Sequence, residues 1–172
     1  MPRRLALLAA LLAAAVASAP AAQTGLAHYA ASGPGSEAEQ AVAETVRGEG
    51  VHVVHFWAPW CGNSQAAFET GWYEVVERHP EVTFTFVAVR NDGESGAEVL
   101  RRYGIPETAA VLAHPGSLDD EVVFLGHPLP WTPATWVFNR GGRLAYAFNY
   151  GEVSAEMLQT AIEHAQSAWE HD

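Results

Sequence analysis

Residues 51–64, VHVVHFWAPWCGNS, restrict the fold more than any other stretch of this 172-residue chain. Val51 to Trp57 is a short run rich in β-branched and aromatic side chains, which predicts a buried strand. Pro59 and Gly62 break the run, and the period then changes. Phe68, Trp72, Val75 and Val76 fall at i, i+4, i+7 and i+8. They predict a helix from Ser64 to about His79 with one apolar stripe, ended by Pro80. Val82 to Val89 (VTFTFVAV) is a second strand. Strand, helix and strand in close succession imply a parallel pair joined by a right-handed crossover. The only cysteine of the chain, Cys61, stands at the first strand-to-helix joint.

The flanking sequence fills out the order. Ser36 with Glu39 three places on forms a capping box, followed by Ala38, Ala41, Val42 and Val46 at helical spacing, with Gly48 as the stop. Asn91-Asp92-Gly93 is a turn, and Glu98 to Tyr103 a short helix closed by Gly104. Residues 105–130 are broken by four prolines, with Val122 to Leu125 as a short extra strand. Thr135 to Asn139, Arg140-Gly141-Gly142 and Leu144 to Asn149 read as a β-hairpin. Ser154 caps a last helix to about Glu170, with Met157, Ala161 and Ala165 on one face. This order predicts an α/β fold: a mixed central sheet flanked by helices, in three layers.

The first residues are outside that domain. Arg3 and Arg4, the apolar run Leu5 to Ala17 and the small residues after it have the three regions of a secretory signal peptide, with cleavage after Ala17 or Ala21. The apolar run falls short of the ~20 residues that span a bilayer. The expected organisation is a signal peptide over 1–21, a linker over 22–35 and one domain over 36–172, in a periplasmic or secreted protein with no stable membrane insertion. The formal charge is −11, with no lysine, and loss of Arg3 and Arg4 makes it more negative. Such a surface repels phosphate backbones, so nucleic acid is not an expected partner. The eight histidines are dispersed without ligand-like spacing, and neither a metal nor a cofactor is implied. A monomer is expected.

A lone cysteine in an exported chain forms no internal disulfide. At a helix start, free backbone N–H groups and the positive dipole end stabilise the thiolate and lower its pKa from ~8.5. Such a thiolate attacks disulfides and forms mixed disulfides. Strand alternation places His55 and Trp57 on one face and His52, Val54 and Phe56 on the other.

The order of elements, with Trp57-Ala58-Pro59-Trp60-Cys61-Gly62 after the first strand, resembles the thioredoxin superfamily over residues 38–170. "WTPATWVFNRGGRL", residues 131–144, looks like the Pro-Thr-x-Phe segment of its exported TlpA-like branch. The resemblance implies a cis-proline at Pro133, after Thr132, beside a reactive Cys61. It also makes Trp60, Gly62, Asn63, Thr132 and Pro133 the expected substrate contacts. Two positions depart from the pattern: Ser64 stands where the family has its second cysteine, and His55 where it has Asp or Asn. A serine hydroxyl cannot expel a mixed disulfide, so resolution falls to an external thiol. If His55 points under the active-site helix, its imidazole could take the proton of Cys61; the other reading is a neutral core histidine. The expected partners are protein or peptide thiols and disulfides, with glutathione among them. The rival expectation is a redox-inactive binding module on the same groove.

Overall fold

The computed structural model describes residues 35–149 and 153–167. The expected signal peptide over 1–21 and the part of the expected linker before Gly35 lie outside the described residues, as do residues 150–152 and 168–172.

Helix α1 (Glu37–Thr45) starts with the capping box: Ser36 Oγ accepts from Glu39 N–H, and the Glu39 carboxylate accepts from Ser36 N–H. The other Glu39 oxygen accepts from the N–H of Leu125, so the same side chain ties the helix to a distant hairpin. Strand β1 (His52–Trp57) is buried along its whole length. Beyond the Cys61 joint come α2 (Gly62–Phe68), α3 (Trp72–Arg78) and β2 (Thr83–Ala88). Helix α4 (Ala97–Arg102) and β3 (Ala110–Ala113) follow. A short hairpin, β4 (Val122–Phe124) and β5 (His127–Leu129), precedes β6 (Ala134–Phe138), β7 (Leu144–Asn149) and α5 (Ala155–Ser167).

The main sheet has the order β3-β2-β1-β6-β7. Strands β1, β2 and β3 run parallel, and β6 and β7 are antiparallel additions on the other side. Its two faces carry two cores. Val53, Trp57, Phe68, Trp72, Val75, Phe86, Leu158 and Ile162 form one, under α2, α3 and α5. Val42, Val54, Phe56, Phe124, Leu129, Trp136 and Phe138 form the other, under α1 and the short hairpin. Full burial of side chains this large is the main force holding the layers together, at about 1.5–3 kcal/mol each.

Two expectations need correction, the single helix from Ser64 to His79 and the place of Met157 on the last helix. The helix from Ser64 to His79 is two helices. Gly71 takes φ 95° at the break, a conformation that disfavours side chains, and a Cβ there would come within 2.8 Å of the Glu74 carboxylate. The break redirects the chain while leaving Phe68, Trp72, Val75 and Val76 buried. The short extra strand expected at Val122 is present, and it pairs with β5 as a separate two-stranded sheet. Strand β3 had no separate signal, because four residues between prolines are too short for a readable alternation. Finally, Met157 is exposed; the core face of α5 is Leu158, Ala161, Ile162 and Ala165.

Candidate active site around Cys61

The joint after β1 is knit by its own backbone. Cys61 N–H donates to Ala58 O at 3.0 Å, and Cys61 O accepts the first helical bond of α2 from Gln65. Ala58 N–H donates to Ser64 Oγ at 3.2 Å, and Gln65 Nε2 donates to Pro59 O at 2.6 Å. From outside, Gly96 at φ 65° presses on this turn. A Cβ there would lie 2.6 Å from Pro59 Cγ, a distance that only glycine avoids. Cys61 is thereby held as the N-cap of α2, half-buried.

Four groups reach its sulfur. Partial burial pushes the Cys61 thiol up. This is outweighed by the Ser64 N–H, the Ser64 hydroxyl, the Thr132 hydroxyl and the Asn63 N–H, and the net pKa lies below the ordinary thiol value. The sulfur also lies 3.6 Å from the carbonyl oxygen of Thr132, which can take the S–H of the protonated form. The site therefore offers a partner to either protonation state.

Ser64 is fully buried, behind the sulfur. Gly62 and Asn63 are exposed at the helix start, and a Cβ on Gly62 would meet nothing within 4 Å, so the surface beside Cys61 is uncovered there. Trp60 is half exposed, and its Nε1 donates to Arg90 O at 2.8 Å. Thr132 and Pro133 are buried opposite, joined by a cis peptide bond, and Trp131 beside them is exposed.

His55 occupies a different environment. Its ring packs against Phe68, Trp72 and Phe86, with centroids 5.3, 4.3 and 5.9 Å away. Nδ1 bonds the Thr135 hydroxyl at 2.9 Å, and Nε2 is buried without a partner. Burial pushes its pKa down to about 3, so the imidazole is neutral. It lines a cavity of about 10 Å³ with Ala67, Trp72, Pro133 and Thr135, a volume at the lower limit for one water. The structure thus brings Cys61, Asn63, Ser64 and Thr132 together with Trp60 alongside. It sets His55 on the floor beneath Pro133, bonded to Thr135 and not among the groups that act on the sulfur.

Sequence reasoning missed Thr135 and Arg90. Thr135 lies directly across from His55 in the β1–β6 pair, a match visible only once the register is known. Arg90 has φ 53°, and nothing in "VRNDG" marks an arginine for the left-handed region.

This sheet order, with a cysteine at the β1–α2 joint facing a cis-proline loop, is the thioredoxin fold. Solved structures share it. A secreted disulfide oxidoreductase of Mycobacterium tuberculosis, homologous to E. coli DsbE, matches at 23% identity and TM-score 0.55, over 70% of this chain and 85% of that one. MTB DsbF matches at 22% and 0.57, over 72% and 86%. A thioredoxin-family thiol:disulfide interchange protein of Chlorobium tepidum matches at 15% and 0.52, over 72% and 83%. No family model matches the chain, and neither does any curated protein.

Proposed function

We propose that the protein carries out monothiol thiol–disulfide exchange through Cys61. The observation that carries this reading is the half-buried Cys61 at the N-cap of α2, its pKa held below the ordinary thiol value by the Ser64, Thr132 and Asn63 donors, with Gly62 and Asn63 exposed beside it. That the matching structures are named as disulfide oxidoreductases and interchange proteins supports it. The Cys61 thiolate attacks one sulfur of a substrate disulfide. A new S–S bond forms, the old one breaks, and the second substrate sulfur leaves as a thiolate. Ser64 cannot attack this bond, since its hydroxyl stays protonated. An external thiolate, from glutathione or a second substrate cysteine, attacks the mixed disulfide and restores Cys61. The cycle exchanges disulfides and does not oxidise or reduce the protein in net terms.

Substrates are peptide or protein disulfides met between Trp60 and the Thr132–Pro133 loop. The chain acts outside the cytoplasm, a location supported by residues 1–21. Among the described residues, no helix is long and apolar enough to cross a membrane.

The test is to incubate the folded protein with oxidised glutathione, quench with acid and weigh it. One glutathione adduct is expected on the wild type and none on Cys61→Ala. A wild-type thiol that forms no adduct and resists alkylation under native conditions would sink the exchange reading. A groove that still binds its partners in Cys61→Ala would then favour a binding module.

A further inference from the structure

Arg90 is a charged residue outside the thiol's own shell, in a strained conformation, with bonds in two directions. Its φ of 53° is one that non-glycine residues adopt at a cost. Its carbonyl oxygen accepts the Trp60 indole N–H at 2.8 Å, next to Cys61 in the chain. Its guanidinium Nη2 donates to Leu129 O at 2.8 Å, and Nε to Asp120 O at 3.1 Å. Leu129 ends β5 three residues before Thr132, whose carbonyl lies 3.6 Å from the Cys61 sulfur. One residue therefore holds the chain on both sides of the thiol. The fork of the guanidinium suits two carbonyls at once, which a lysine ammonium does not reproduce.

We propose that Arg90 is a positioning residue that clamps the Trp60–Cys61 turn to the 129–133 loop and so sets the groove in which an extended peptide disulfide meets the thiol. This rests on the exchange reading given above. A small disulfide needs only access to the sulfur. A peptide needs both walls in place, and misplacement by about 1 Å can cost up to ~10²-fold.

The test compares two reagents with one leaving group. The first is 5,5′-dithiobis(2-nitrobenzoate). The second is a ten-residue peptide whose single cysteine carries the same thionitrobenzoate as a mixed disulfide. Cys61 attacks the peptide cysteine sulfur, forms the protein–peptide disulfide and releases thionitrobenzoate as its coloured thiolate. Arg90→Gly keeps the carbonyl that holds Trp60, relieves the backbone strain and removes the guanidinium. Its rate with the small reagent is expected to stay within about twofold of wild type. Its second-order rate with the peptide is expected to fall about tenfold, through weaker saturation rather than a slower bound step. Arg90→Lys should recover part of the loss, which keeps the test open if the glycine variant folds poorly. Equal changes with both reagents, or no change with either, would overturn the clamp while leaving exchange intact. A wild-type thiol inert to both reagents removes the exchange reading and the clamp with it.

Discussion

Cys61 and His55 lie six residues apart and occupy opposite surroundings. The sulfur sits half-buried at the mouth of the site, where N–H and O–H donors favour its charged form. The imidazole sits on the floor among three aromatic rings, where burial favours its neutral form. Either residue type is able to do proton or nucleophile chemistry. Here the environment gives reactivity to one and withholds it from the other.

The largest expected effect comes from putting a second thiol at the mouth. Ser64→Cys places a sulfur where the Ser64 hydroxyl now faces Cys61. Intramolecular attack should then shorten the life of a glutathione adduct by about a thousandfold or more, read by acid quench and mass. An adduct as durable as that of the wild type would show that residue 64 cannot reach the bond.

The floor is tested with acid. His55 titrates near 6.5 in the unfolded chain and at about 3 in the folded one. Its neutral burial therefore contributes stability that is complete above 6.5 and is lost as the pH falls from there towards 3. The expected slope is up to about 1.4 kcal/mol per pH unit in that window. Denaturant titrations of wild type and His55→Leu should diverge there, with the variant flatter. Parallel curves would mean that the imidazole is solvated.

Removing the hydroxyl at the mouth is a smaller change. Ser64→Ala takes away one donor to the Cys61 thiolate, so the midpoint of its alkylation rate against pH should move up. It also leaves the buried Ala58 N–H without its acceptor, at a cost of about 1–3 kcal/mol in stability. An unmoved midpoint would leave the Thr132 hydroxyl and the backbone donors of Asn63 and Ser64 as the cause. The smallest effect is the sharpest test of the contrast: His55→Leu should leave that midpoint where it is. A clear shift would couple floor to mouth.

Much of the site was legible because its signals are local. The capping box at Ser36, the apolar run of β1, the stripe from Phe68 to Val76 and the cysteine at the joint all lie within a few residues of their causes. His55 was legible as a position but not as an environment. Its Thr135 partner is 80 residues away, and a one-residue slip of β6 would have turned that hydroxyl to the other face. The helix break at Gly71 was hidden because the apolar stripe continues through it.

By itself, the sequence determined a parallel strand pair with a crossover, a terminal hairpin, and a single thiol at a helix start with serine behind it. Periodicity, caps and turn residues act over short distances and need no partner. Only the tertiary structure decided what surrounds that thiol. It brought Thr132 to Cys61 from 71 positions away, closed aromatic rings over His55, and set Arg90 between Trp60 and Leu129. These contacts depend on strand register and on how the two cores pack against the sheet.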